Sequence, residues 1–331
     1  MGNSTILHFT SETNILISGA TGFVGTHLCE ALSHAGVRIF GTLLPTESET
    51  SLVKGVVPVR IEEIGPDISL REVLKDIHVV IHLAARVHVM HESSADPLRE
   101  FRKVNVLGSV NVARQAAAAG VKRFVFISTI GINGNDSGST AYTETDSPHP
   151  HNPYSVSKYE AEQELRRVST ETGMEIVVIR APLVYGPKNP GNFLSLLRVL
   201  SKGVPLPLAS IRNEKSFIYV GNLVNALILC SMHPAAAGNT YLVSDAELIS
   251  TPELIRQLAR AVGYPARLFP FPTGLLRLIG KFIGKTAAVD SLLCSLKLDT
   301  SKIRAELQWT PPFTMEKGLV DTGSWYVKNC L

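Results

Sequence analysis

The 331-residue chain has little cysteine: Cys29, Cys230, Cys294 and Cys330 stand far apart, with no CxxC or Cys/His cluster. Disulfide frameworks and structural zinc sites need closer, patterned spacing, so reduced thiols and no metal site are expected. No uninterrupted apolar run approaches the ~20 residues that span a bilayer, which excludes an integral membrane segment. The opening residues MGNSTILHFTSET lack a basic segment followed by an apolar core, so a cytoplasmic protein is expected, with residues 1–13 as a flexible lead-in. Long runs of one charge are missing too. A net charge of +3 dispersed along the chain offers nucleic acid no continuous basic surface.

What is present is a chain 45% hydrophobic, long enough for one large α/β domain and a smaller one. Its organising stretch is NILISGATGFVG, Asn14 to Gly25. Ile15, Leu16 and Ile17 form the short apolar run of a buried parallel strand, and Gly19, Gly22 and Gly25 then lead into a helix through Leu32. Such a turn brings bare backbone N–H groups against a pyrophosphate. Gly19 can take a positive φ, Gly22 has no Cβ to hold phosphates away, and Gly25 lets the helix pack close on the strand.

Further strands are predicted at Val37–Leu43, Val56–Ile61, Ile77–Leu83, Arg123–Ser128 and Glu175–Arg180. Helical spacing separates them at Leu70–Leu74, Leu98–Ala119 and Tyr154–Glu171. Six strands alternating with helices describe a doubly wound parallel sheet, a Rossmann-type α/β fold. The dinucleotide-binding domain is expected over 14–185. Residues 186–331, richer in proline, glycine and short helices, are expected to form a smaller α/β substrate lobe with segments free to return to the sheet. Pro272–Lys285 reads as a basic amphipathic helix, either packed on this lobe or lying on a membrane surface.

At the end of the second strand, Gly41 to Pro45 supplies neither the acid that would hold a ribose 2′-OH nor an arginine for a 2′-phosphate, so NAD and NADP both stay open. Ala84 and Ala85, small residues after the fourth strand, permit close approach of a cofactor. His88 and His91 in the loop from Arg86 to Pro97 have no third ligand beside them and read as loop or substrate-facing residues. The strongest catalytic signal is Tyr154-Ser155-Val156-Ser157-Lys158. A tyrosine and a lysine four apart share one helix face, so the ammonium is expected to lower the phenol pKa and hold the cofactor ribose. Ser128 and Thr129, at the end of the fifth strand, place hydroxyls for the same substrate oxygen. Glycine turn, strand-edge hydroxyl and Tyr/Lys pair together form a hydride-transfer constellation.

With these motifs, and with HLAA at His82–Ala85, NVLGS at Asn105–Ser109, VYGP at Val184–Pro187 and LQWTPP at Leu307–Pro312, the chain resembles the extended short-chain dehydrogenase/reductases, the nucleotide-sugar epimerases, dehydratases and reductases. The resemblance covers residues 14–312. It implies Tyr154 as acid/base, Lys158 on the nicotinamide ribose, Thr129 or Ser128 on the reacting sugar oxygen and Asn105 as a structural or cofactor-side residue. It places Gly19, Thr21, Gly22, Phe23, Val24, Gly25, Leu83, Ala84 and Ala85 around the cofactor, with Glu63 and Ile64 near the adenine. Arg86, Asn192, Phe193 and Lys215 fall to a UDP-sugar substrate, and a homodimer through Leu98–Ala119 and Tyr154–Glu171 is the family expectation.

Lys215 stands where the family usually has arginine, and the arginine of an RxGD-like stretch ahead of Asp299 has no counterpart. A 4,6-dehydratase needs an Asp-Glu pair after the threonine; here Ile130 and Gly131 follow. The weak ribose signature and the absent RxGD favour a reductase that releases its cofactor over a 4-epimerase that keeps it. HLAARVHVM at His82–Met90, GVPLPL at Gly203–Leu208 and LVSD at Leu242–Asp245 resemble O-antigen reductases that form UDP-N-acetylquinovosamine. UDP-glucose 4-epimerase is the second reading. A non-catalytic dinucleotide sensor is a third, and such proteins often lose the tyrosine or lysine kept here.

Overall fold

A computed structural model describes residues 9, 12–87 and 95–331; His88, His91, Met90 and most of the first thirteen residues lie outside the described residues. Nine strands are described: β1 (Asn14–Ser18), β2 (Arg38–Leu43), β3 (Val57–Arg60), β4 (Val79–His82), β5 (Arg123–Thr129), β6 (Glu175–Ala181), β7 (Val184–Tyr185), β8 (Ile218–Tyr219) and β9 (Thr240–Leu242). The helices run α1 (Phe23–Leu32), α2 (Arg71–Leu74), α3 (Pro97–Arg102), α4 (Ser109–Ala118), α5 (Pro153–Thr172) and α6 (Asn192–Ser201). They continue as α7 (Val220–Met232), α8 (Thr251–Ala261), α9 (Thr273–Phe282), α10 (Thr286–Leu293), α11 (Ser301–Leu307) and α12 (Met315–Cys330).

Seven strands form one parallel sheet in the order β3-β2-β1-β4-β5-β6-β9. Strand order reverses between β1 and β4, the switch point where ligands enter such sheets. Alternation along β1 feeds two cores. Ile15 and Ile17 pack with Leu28 of α1 and Leu223 of α7, while Leu16 packs with Val112 of α4 and Leu165 of α5. The sheet is therefore apolar on both faces, as parallel sheets must be.

The seventh strand falls in Thr240–Val243, which with Ser216–Val220 interrupts the loop pattern of the expected lobe, and it joins the main sheet instead. Thr240–Leu242 is too short for a periodicity to show, and only its pairing with Val178–Arg180 makes it a strand. Through α7 and β9 the chain after Tyr185 returns to the sheet, while β7 and β8 form a separate two-stranded parallel pair. The helix expected as one piece over Leu98–Ala119 is interrupted by a wide π-type segment, Lys103–Gly108. Gly108 makes room for it, since a Cβ there would sit 2.7 Å from Cγ2 of Ile64. All four cysteines are free thiols, and among the described residues no helix is long and apolar enough to cross a membrane.

Candidate active site

The glycine turn is sterically locked. Gly19 has φ +75°, its N–H donates to Thr42 Oγ1 at 2.9 Å, and its carbonyl accepts from Gly22 N–H at 3.1 Å. A Cβ on Gly25 would lie 2.1 Å from the Gly19 carbonyl, so only glycine lets α1 start there. A Cβ on Gly19 would lie 3.0 Å from Ala84 N, which places the turn directly beside Leu83–Ala85. The first N–H groups of α1, with no side-chain cap, are left for an anion. Thr21 donates to Glu47 Oε1 at 2.5 Å, whereas Phe23 and Val24 pack partly into the core.

Glu47 is the carboxylate that spacing missed. It lies a few residues past the position searched at the end of β2, and the loop folds back so that its second oxygen accepts Leu44 N–H at 2.7 Å. A half-buried acid on the glycine turn is placed to accept a ribose hydroxyl and to repel a 2′-phosphate. Glu63 is exposed and ion-paired with Lys103 at 2.6 Å, and Ile64 is buried in the α4-side core.

His82, quoted only as part of a motif, proves to organise the next edge. Its ring is fully buried, with Nδ1 2.8 Å from Ser18 Oγ and Nε2 3.0 Å from Ser109 Oγ, and it stacks on Phe124 and Phe126. Burial, and next the nearby Lys158, push its pKa down to about 3, so it stays neutral. Ser18 Oγ in turn accepts Ala84 N–H at 3.3 Å, which ties the ends of β1 and β4 together. Asn105, carried inward by the π-type segment, bonds the carbonyl and N–H of Arg86 and the hydroxyl of Ser157. Both amide hydrogens and the amide oxygen are engaged within the protein. These bonds tie Arg86 to α5. Arg86 lies over the ring of Phe101 at 5.6 Å.

Helix α5 begins one residue before Tyr154 because its start is fixed twice: Asn152 caps Ser155 N–H while Ser155 Oγ accepts Asn152 N–H, and Pro153 occupies the first turn. Tyr154 stands at this end, its ring 6.1 Å from Phe101. Lys158, one turn on, is 1% exposed, with Nζ 3.8 Å from the centroid of Phe126 on β5. Among the described residues its ammonium has no hydrogen-bond partner, and neither does buried Ser128 Oγ. Buried polar atoms without partners are rare and costly, and these two sit at the sheet edge where a nicotinamide ribose and a substrate oxygen are needed. The glycine cradle and these atoms together fit a dinucleotide. Thr129 Oγ1 accepts Gly131 N–H at 3.1 Å and keeps its own proton to donate.

The titration of the pair differs from expectation. Burial pushes Tyr154 up to about 12 and Lys158 down to about 7, the latter partly offset by Glu162. Desolvation outweighs the attraction expected between the two side chains. Glu162 is itself held in a buried bidentate pair with Arg180, which also donates to Asn133.

On the substrate side, Lys215 is half-buried and its ammonium donates to the carbonyl of Ser291, with burial lowering its pKa. Asn192 opens α6. The ring of Phe193, assigned to the substrate by its sequence position, is instead in the core, stacked on Tyr185 at 5.3 Å and edge-on to Phe217. Apolar packing claims it, so only its backbone remains for a ligand.

A UDP-glucose 4-epimerase of Vibrio cholerae is 38% identical over 95% of this chain and 96% of its own. An N-acetyl-α-D-glucosaminyl-diphospho-ditrans,octacis-undecaprenol 4-epimerase of Escherichia coli O157:H7 is 26% identical over 92% of this chain and 93% of its own. In fold, the chain is similar to a UDP-glucuronic acid 4-epimerase of Bacillus cereus in complex with NAD, at TM-score 0.74 and 21% identity over 96% of this chain and 99% of the other. Residues 15–244 match the model of the NAD dependent epimerase/dehydratase family, and with the glycine cradle, the strand-edge hydroxyls and the Tyr154/Lys158 pair in place, the chain belongs to that family of nucleotide-sugar enzymes.

Proposed function

We propose that the enzyme transfers hydride and proton at C4 of a UDP-sugar, and that its net reaction is reduction of a UDP-4-keto-6-deoxy-N-acetylhexosamine to UDP-N-acetylquinovosamine. The dinucleotide, when bound, supplies the hydride. Lys158 holds its ribose hydroxyls, Ser128 and Thr129 donate to the sugar oxygen at C4, and Tyr154 delivers the proton to that oxygen. We assign Asn192, Arg86 and Lys215 to the UDP moiety, with Lys215 acting as a point charge once it leaves the Ser291 carbonyl.

What supports the reductive reading is the substrate lobe: Lys215 stands in place of the usual arginine and is tied to the Ser291 carbonyl, no RxGD stretch precedes Asp299, and residues 82–90, 203–208 and 242–245 resemble the O-antigen reductases. Tyr154, one helical turn from Lys158, supplies the proton for that oxygen in either direction of hydride transfer. A dehydratase reading is disfavoured by buried Ile130 and by Gly131, which offer no second acid/base pair. A 4-epimerase is the second reading, favoured by the Vibrio relative and by Glu47, whose carboxylate supports a retained NAD and removes one argument against it. We also propose a cytoplasmic homodimer, built on the groove between α4 and α5 lined by Leu107, Val110, Arg114 and Glu164.

The deciding experiment identifies the co-purifying dinucleotide by mass spectrometry and then follows absorbance after adding NADH and the 4-keto sugar nucleotide. Stoichiometric NADH consumption with a product two mass units heavier is expected. Bound NAD, no net consumption and interconversion of UDP-glucose with UDP-galactose, or of their N-acetyl forms, would overturn the reductase in favour of the epimerase.

A further inference from the structure

The hairpin of α9 and α10 holds a large apolar stripe away from the protein. Leu275, Leu278, Ile279, Phe282 and Ile283 recur at helical spacing on one side, all exposed, with Phe282 83% and Ile283 63% accessible. These are the residues a globular protein normally buries. The hairpin itself is firmly built. Gly280 lets α10 approach so closely that a Cβ would lie 2.7 Å from Val289 Cγ2, and Lys285 N–H closes the turn on the Gly280 carbonyl at 2.7 Å. At its base, Asn213 donates to the carbonyls of Leu292 and Cys294, and Thr251 to that of Leu292, each at 3.0 Å. Leu276 and Leu293 pack on the core. The stripe is thus displayed by a rigid support.

Charge around it is predominantly basic. Between Glu253 and Asp290 the chain contains six cations, Arg256, Arg260, Arg267, Arg277, Lys281 and Lys285, and no acid. Arg256 is paired with Glu253 and Arg277 with Asp290, whereas Lys281 and Lys285 flank the apolar stripe, both exposed. Apolar side chains that penetrate and lysines that stay at the surface are the two components of binding to an anionic bilayer interface.

We propose that the α9–α10 hairpin docks this enzyme on an anionic lipid surface, with Phe282 and Ile283 inserted among the acyl chains and Lys281 and Lys285 on the headgroups. A second copy of the chain is a poorer occupant, because self-pairing would bring Lys281 and Lys285 of both copies together. A protruding ridge also suits a deformable medium better than a rigid protein face. Ser291, at the end of the same hairpin, holds Lys215, so a docked enzyme presents its substrate lobe next to the bilayer. The inference is independent of which C4 reaction the enzyme performs.

The test is co-flotation of the purified enzyme with vesicles of phosphatidylcholine containing 30% phosphatidylglycerol, alongside pure phosphatidylcholine vesicles. The enzyme should float with the anionic vesicles, release in high salt and ignore the neutral ones. Lys281→Ala with Lys285→Ala should weaken binding about 25-fold, at about fivefold per basic residue. Phe282→Ser with Ile283→Ser should weaken it at least tenfold, and both variants should keep full turnover without vesicles, because neither touches the cofactor or substrate residues. Equal binding to neutral vesicles, or no loss in either variant, would overturn the proposal. So would absence of flotation together with a sedimentation coefficient that falls on Phe282→Ser and Ile283→Ser, which would assign the ridge to a second copy.

Discussion

Replacing Lys158 with methionine should abolish catalysis and at the same time make the protein more stable. The lysine is buried, its ammonium lies on the face of Phe126, and burial lowers its pKa from 10.5 to about 7. In the unfolded chain the same group titrates near 10.5, so folding must desolvate a charge that water would keep. For a cation whose folded pKa is depressed, the penalty is complete below pH 7, where both states carry the proton. It fades as pH rises toward 10.5, because the folded state has already released it. A shift of ~3.5 pH units corresponds to ~5 kcal/mol in acid, roughly 4 at pH 7 and roughly 2 at pH 9. The contact with Phe126 returns ~1 kcal/mol of this. With an unfolding entropy of ~2.1 cal/mol/K per residue, the remaining ~3 kcal/mol at pH 7 amounts to about 4 °C in Tm. Thermal scans of Lys158→Met and the parent protein from pH 6 to 9.5, without added dinucleotide, read this directly. The variant should melt higher at pH 6–7 and the gap should close by more than half at pH 9. A variant that melts lower than the parent at pH 6.5, or a gap that does not change with pH, would refute the reasoning.

Tyr154→Phe should lower kcat about 10²–10⁴-fold with little change in dinucleotide affinity, measured by titration calorimetry, because it removes the proton donor and leaves the cradle intact. Since Tyr154 keeps its proton to about 12, the reductive rate should not fall through its ionisation between pH 7 and 9, while oxidation of the product, which needs the phenolate, should rise about tenfold per pH unit; a flat oxidative profile would contradict the assigned role. Glu47→Ala should weaken NAD by about tenfold and narrow the discrimination against NADP, read as the ratio of the two dissociation constants. Arg180→Met should cost about 3–5 kcal/mol in denaturant unfolding, since it strands buried Glu162, whereas the double change with Glu162→Leu should recover much of that loss.

The sheet was legible because each long strand carries its own signal: Ile15–Ile17 and Arg123–Ser128 are apolar runs bounded by glycine or by polar turns. Thr240–Val243 stands out in sequence only as a break in the loop pattern of the lobe, because three residues join the main sheet only when β6 offers an unpaired edge. In the site, positions tied to backbone geometry read well. Gly19 and Gly25 are required by a positive φ and by a carbonyl that leaves no room for a side chain, and both constraints are local. Glu47 was missed because a loop, and not a fixed spacing, brings it to Thr21. His82 was missed because its partners, Ser18 and Ser109, lie 64 and 27 residues away. Phe193 was misassigned because an apolar residue beside a binding position looks the same in sequence whether it faces a ligand or the core.

The pKa values of Tyr154 and Lys158 were illegible for a further reason, and it bears on how the site works. Spacing of four residues shows that two side chains share a helix face, but burial depends on what lies opposite, here Phe101, Phe126 and the inward-turned π-type segment. Desolvation leaves the phenol protonated and the ammonium unpaired, while Glu162, fixed by Arg180, limits how far the lysine falls. Ribose hydroxyls placed on Lys158 would supply the hydrogen bonds that the protein withholds, so bound dinucleotide should favour the charged lysine and raise its pKa above the value of about 7. The stabilisation conferred by dinucleotide should therefore be greater in the parent protein than in Lys158→Met by roughly 1–2 kcal/mol, the worth of hydrogen bonds to a charged group. Equal thermal shifts in the two proteins at saturating NAD would show that Lys158 does not touch the cofactor, and the site would then have to be reassigned around Ser128 and Tyr154 alone.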